Sequence, residues 1–150
     1  MDIALGDFIS LNRIHFTSAH TKEELIDELI RVSVEDAKVK NVKSFKEALI
    51  KREEIMSTGI GYGVAIPHVK LQQIEDFFIT IGIHKNGVDW ESLDSNPVHL
   101  VFLIAGPAQK QEQYLRILAR LTMAIKNPER REKATGLSTK YEIYKLFSAF

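Results

Sequence analysis

Ser57-Thr58-Gly59-Ile60-Gly61-Tyr62-Gly63-Val64-Ala65-Ile66-Pro67-His68 is the stretch that decides how this chain is read. Three glycines in five residues weaken any helix or strand interior, so residues 57–63 are expected to form a loop. Without a Cβ in the way, successive backbone amides can approach an anion and form a concave nest. Val64-Ala65-Ile66 then reads as a short apolar strand, stopped by Pro67. The proline stiffens the approach and delivers His68 in a defined place. Upstream, Arg52 falls at a helix end, where its guanidinium offers a fork of donors. A nucleophilic imidazole, an anion nest and an arginine are what reversible phosphorylation of a histidine needs. One ring nitrogen attacks phosphorus while the other is held as an N–H donor. The barrier falls mainly through positioning and charge stabilisation on oxygen.

Working outward, the pattern alternates between helix and strand. Arg13 to Thr17 alternates as a strand does. Thr21 followed by Glu24 is a capping box, and Leu25, Ile26, Leu29, Ile30 and Val32 carry a helix of about four turns. Ser44 with Glu47 reads as a second capping box, opening the helix that ends near Arg52. Phe77 to His84 is β-rich and leads to a turn at Lys85-Asn86-Gly87. Val98 to Ala105 is nearly all apolar, as expected of a central strand covered on both faces. Residues 114, 115, 118, 121, 122 and 125 form a helical stripe. Asn127-Pro128 is an N-cap followed by proline at the first helical position. Ser138 or Thr139 caps a last helix. The expected fold class is α/β, a sheet of about four to five strands with helices on both faces.

The chain has 150 residues, which suits a single domain over 1–150. With 20 basic and 20 acidic side chains, nothing favours a polyanion such as nucleic acid. Cysteine is absent, which excludes disulfides and thiolate metal sites and fits a cytoplasmic protein. The acidic N-terminal stretch is unlike a signal peptide, and the longest apolar runs are far short of a membrane span. A soluble, cytoplasmic protein with no membrane insertion is expected.

The quoted segment resembles the signature of the type-2 enzyme IIA domains of the sugar phosphotransferase system, in the form seen in fructose-type and nitrogen-regulatory members. The likeness extends to Ala48-Leu49-Ile50-Lys51-Arg52-Glu53, to Asn96-Pro97-Val98-His99-Leu100-Val101-Phe102 and to Tyr114-Leu115-Arg116-Ile117-Leu118-Ala119, and so covers almost the whole chain. It implies a three-layer α/β/α sandwich around a mixed sheet. It also implies that His68 accepts a phosphoryl group on Nε2 from HPr or a nitrogen-type HPr paralogue, without metal or cofactor. Arg52 would orient that group, and Thr58, Gly59, Gly61, Gly63 and Tyr114 would form the phosphate pocket. Onward partners would be an enzyme IIB or a regulatory target protein. Tyr114 stands where the family often has a second histidine, and Val69 where it usually has a small residue. A tyrosine supplies a hydrogen bond but no positive charge at neutral pH.

Three functional readings stay open on sequence alone. They are a nitrogen-type regulatory phosphocarrier, a sugar-specific enzyme IIA, and a degenerate regulator that only binds. The glycine run precedes a strand instead of following one, so it is not a dinucleotide loop. His99, near the start of a buried strand, is either a neighbour of the site or a structural histidine. Lys70 is either a phosphate contact or solvated, and His84 is expected to be solvated. His15 and His20 lack metal-ligand spacing. Trp90 reads as core.

Overall fold

The computed structural model describes residues 3–36 and 38–150. Among these residues lie five α-helices and one six-stranded mixed sheet. The strands are β1 (Ile14–Thr17), β2 (Gly59–Gly61), β3 (Val64–Ala65), β4 (His68–Lys70), β5 (Phe78–Val88) and β6 (Val98–Gly106). The helices are α1 (Lys22–Glu35), α2 (Val42–Ile55), α3 (Gln111–Ile125), α4 (Pro128–Gly136) and α5 (Lys140–Phe147). The sheet order is β1-β5-β6-β3-β2, and β4 also pairs with β6, beyond the end of β3. β1 runs parallel to β5, and β3 and β4 run parallel to β6. β5 with β6 and β2 with β3 are antiparallel.

Alternation along β6 explains the three layers. Leu100, Phe102 and Ile104 face a core built with α3, α5 and the segment around Leu5 to Ile9. Val101, Leu103 and Ala105 face the opposite core, built with α1 and α2. A strand buried on both faces is apolar at nearly every position, as Val98 to Ala105 is apart from the partly buried His99. The α/β/α sandwich is therefore as expected.

The sheet is larger than four to five strands because the segment taken as loop contributes to it. Gly59 to Gly61 is β2, and the backbone turns at Gly61, Tyr62 and Gly63 with φ of +101°, +59° and +77°. Consecutive left-handed residues are what glycine permits, and they reverse the chain into a hairpin with β3. Beyond Pro67 the strand resumes as β4. Proline has no N–H, but its carbonyl accepts from the Ile104 amide at 2.9 Å, so β6 pairs across the break.

Two boundaries differ from expectation. α2 begins earlier, because Asn41, not Ser44, is its N-cap and accepts from the Ser44 amide at 3.0 Å. β5 continues through Lys85-Asn86-Gly87 to Val88, with its register against β6 shifted after Ile83. His84 is consequently buried, not solvated. Its Nε2–H donates to the Ala19 carbonyl at 2.7 Å, and its Nδ1 accepts from the Gly87 amide at 3.0 Å. The caps at Thr21, Asn127 and Thr139 are as read.

Candidate functional site

His68 opens β4, paired with Ile104 of β6. Val69 is buried in the core under α2, so His68 and Lys70 alternate onto the other face, toward α3. The Nδ1 atom of His68 lies 2.9 Å from the Ile66 carbonyl oxygen. A carbonyl only accepts, so Nδ1 must carry the proton in this contact. In the uncharged ring Nε2 then holds the lone pair. The contact spans two residues across Pro67, whose fixed φ holds the two ends in register. Nucleophile and tautomer are thus set by three consecutive residues, Ile66-Pro67-His68.

Tyr114 comes from the first turn of α3. Its ring centroid lies 5.8 Å from that of His68 and 6.2 Å from that of Phe77, so the phenol is held between the two. Burial pushes its pKa above the ordinary value of 10.0, while the Arg52 guanidinium acts in the opposite direction. Two conclusions follow. The phenol stays protonated at neutral pH, as a hydrogen-bond donor without charge. The Arg52 charge also reaches the space next to Tyr114, and hence the face that carries His68. Arg52 lies in the last turn of α2, where Nη1 donates to the Met56 carbonyl at 2.7 Å. That bond stops the end of the helix and fixes the guanidinium with its remaining N–H groups available.

Lys70 adds a second cation. Its ammonium lies 5.0 Å from the centre of the Tyr114 ring and donates to Oε1 of Gln111. Ending the strand at Pro67 hides this residue; once β4 is known to continue, the period of two puts Lys70 beside His68.

The remaining expected pocket residues are engaged in other contacts, although the Thr58 carbonyl accepts from the amide of Ile66, the residue that holds the His68 ring, at 3.0 Å. Thr58 is buried, and its hydroxyl donates to Glu53 and accepts from the Trp90 indole N–H at 3.2 Å. Its amide donates to the same Glu53 carboxylate at 3.1 Å. Glu53 in turn pairs with Lys22 at 2.7 Å, both being largely buried. Thr58 is therefore a pin that ties the loop after α2 to α1 and to the fully buried Trp90, with its donors already engaged. The Gly59 amide donates to Ser57 Oγ at 3.1 Å, and the Tyr62 amide to Asp94 at 3.0 Å. No nest opens toward His68 from those two amides. Gly61 and Gly63 lie further off: β3 meets β6 at Leu100, β4 at Ile104, and four residues of parallel strand span roughly 13 Å. The glycines shape the hairpin; His68, Tyr114 and Lys70 come together, and the Arg52 charge acts on the same phenol.

Such a cluster suits transfer of an anionic group to or from Nε2. Arg52 and Lys70 can balance oxygen charge, and the phenol can donate one hydrogen bond.

Comparison with known proteins gives the context. The family model described as "Phosphoenolpyruvate-dependent sugar phosphotransferase system, EIIA 2" matches residues 7–150. The fructose-specific EIIABC component of Bacillus subtilis is 41% identical over 112 residues, which are 75% of this chain but 18% of that longer protein. The nitrogen regulatory protein of Bradyrhizobium diazoefficiens is 31% identical over 129 residues, covering 86% of this chain and 84% of its own length. The crystal structure of nitrogen regulatory protein IIA-Ntr from Neisseria meningitidis superposes with a TM-score of 0.88 at 24% identity, covering 95% of this chain and 97% of that one.

Proposed function

The chain belongs to the EIIA 2 family of the phosphoenolpyruvate-dependent sugar phosphotransferase system, and from that premise we propose that it is a phosphohistidine carrier whose acceptor is His68. Members of this family are phosphotransfer components. The observation that carries the assignment is the Nδ1–H contact to the Ile66 carbonyl, which presents Nε2 as the nucleophile. The Nε2 lone pair attacks the phosphorus of a phosphorylated donor protein. The bond from phosphorus to the donor's nitrogen breaks, and that nitrogen keeps the bonding pair. Charge stays on the three peripheral oxygens throughout, where Arg52 and Lys70 stabilise it and Tyr114 donates. Neither metal nor redox change enters the balance.

The donor would be HPr or its nitrogen-type paralogue. A protein donor needs an approachable surface, and Ile55, Met56 and Leu115, adjacent in sequence to the site's helix ends, are 77%, 59% and 53% exposed. Exposed apolar side chains beside a charged centre suit a transient interface. The role proposed is regulatory, of the nitrogen type, acting on a target protein in the cytoplasm from a single domain spanning 1–150. This is supported by the nitrogen regulatory relative, which matches along most of its length. A second reading, a fructose-type enzyme IIA passing the group to an enzyme IIB, is favoured by the 41% identity to the Bacillus protein.

The test is incubation with radiolabelled phosphoenolpyruvate, enzyme I and either HPr or the nitrogen-type paralogue. Acid-labile, base-stable label on the wild type and none on His68→Ala is the expected result. Absence of label from both donors would leave only the binding role. Faster labelling from HPr than from the paralogue would favour the fructose-type reading.

A further inference from the structure

At the other end of β6 from His68 lies a cavity of about 630 Å³. Its polar lining is Tyr62 from the hairpin tip, Lys85 from β5, His99 from β6, and Arg131, Glu132 and Thr135 from α4. The size falls within the roughly 300–1,000 Å³ usual for small-molecule sites.

His99 has the same electronic arrangement as His68. Its Nδ1 lies 3.0 Å from the His84 carbonyl and 3.2 Å from the Lys85 carbonyl, so Nδ1 carries the proton in these contacts. Nε2 is the nitrogen left to meet a ligand. Two glycines make room for the ring. A Cβ on Gly63 would lie 3.4 Å from Cδ2, and one on Gly87 would lie 2.9 Å from Cε1. Both glycines have left-handed backbone, at φ +77° and +83°, which disfavours a side chain, and at Gly87 the close approach of the ring excludes one a second time.

Of the two cations beside it, Lys85 is exposed and Arg131 is fixed. Arg131 Nη1 donates to the Ile125 carbonyl at 2.7 Å, and the guanidinium lies 4.9 Å from the centre of the Tyr62 ring. Tyr62 is 75% exposed, although it occupies a left-handed conformation that costs a non-glycine residue energy. The Asp94 carboxylate holds it there by accepting from its amide. The hairpin turn sets this backbone, and the exposed ring, in contact with Arg131, borders the cavity.

Lys85 and Arg131 outweigh Glu132 by one charge, which favours an anion. The two cations match the charge of a phosphate group, whereas the Thr135 hydroxyl already donates to the Arg131 carbonyl at 3.1 Å. Glu132 and, in the uncharged ring, His99 Nε2 are acceptors, and they call for donors on the same ligand. We propose that this cavity binds a small hydroxylated phosphate ester, with Arg131 and Lys85 on the phosphate and His99 and Glu132 on hydroxyl groups. The site is separate from His68 and needs no phosphoryl transfer.

The test is a ¹H–¹⁵N NMR titration of the full chain with glucose 6-phosphate, with inorganic phosphate and glucose as separate arms. Saturable shifts confined to the amides around Gly63, Lys85, His99 and Arg131 are expected, with inorganic phosphate weaker and glucose silent. Lys85→Met, an exposed substitution that leaves the fold in place, should weaken binding about tenfold, as loss of one charge-assisted contact does. His99→Gln should narrow the gap between the ester and inorganic phosphate. Shifts that do not saturate, that scatter over other basic side chains, or that survive Lys85→Met unchanged would overturn the proposal. Because the readout is binding, it is decided whether or not His68 accepts a phosphoryl group.

Discussion

His68 and His99 share one ring arrangement and differ in what surrounds it. Each has Nδ1 held by backbone carbonyl oxygen, at 2.9 Å for His68 and at 3.0 and 3.2 Å for His99. His68 follows a proline and faces Arg52, Tyr114 and Lys70 beside exposed apolar side chains. His99 is framed by glycines and lines a cavity under α4. The contrast separates two requirements. Locking the tautomer makes an imidazole a defined acceptor, while the surroundings decide what can reach it. On the proposed reading, the charged setting of His68 beside exposed apolar side chains suits a protein-borne phosphoryl group, and the cavity at His99 suits a small molecule.

The sharpest way to break the comparison is to exchange the losses. His68→Ala should abolish labelling in the phosphotransfer assay, whereas His99→Ala should retain most of the initial rate. Equal loss from both would mean that the two ends are not distinct. Next in size is Trp90→Ala. It removes a fully buried side chain and the donor to Thr58, so denaturant unfolding should show a loss of about 3–5 kcal/mol. Because Thr58 and Glu53 tie the loop after α2 in place, labelling of this variant should fall at temperatures where the fold still holds.

Arg52→Met should slow phosphoryl acceptance by about a hundredfold, the scale of losing one stabilising group for transition-state charge, with little change in thermal stability. Tyr114→Phe removes one neutral donor and should slow it by about tenfold or less. Burial raises the Tyr114 pKa above 10.0, so the phenol keeps its proton across the neutral range. The rate–pH profile of the wild type should therefore carry no Tyr114 inflection below that value; one near neutrality would contradict the placement of this ring.

The smallest effect is far from both histidines. Burial of Glu28 acts to raise its pKa, but the hydrogen bonds from His15 and Thr17 prevail and lower it. A depressed carboxylate pKa stabilises the fold above the unfolded value and loses that contribution as pH falls through the folded one. Glu28→Gln should thus cost under about 1 kcal/mol near neutral pH, and the difference from wild type should vanish in acid below the ordinary 4.5.

Much of this was legible in the chain. The buried strand β6, the stripe of α3 and the caps at Thr21, Asn127 and Thr139 rest on periodicity and local hydrogen bonding, which sequence states directly. The placement of His68 after Pro67 and of Arg52 in the last turn of a helix rests on equally local features. The glycine segment was not. Glycine shows that backbone freedom is needed but not for what: a nest and a hairpin ask for the same residues. The use of Gly61 and Gly63 in the turn depends on pairing of β3 with β6, which is a long-range fact. The partners of Thr58 were hidden likewise, because Glu53 and Trp90 come from α2 and from the connection after β5. The cavity at His99 joins three distant segments, and no single stretch announces it.

The central claim is that phosphorylation falls on Nε2 of His68 with Nδ1–H held by the Ile66 carbonyl. It is tested most directly by ¹⁵N NMR of the histidine ring nitrogens in the phosphorylated protein. The expected spectrum has one phosphohistidine, at Nε2 of His68, with a protonated Nδ1 and the other histidine rings unchanged. A phosphoryl group on Nδ1, or on any other histidine, would contradict the claim.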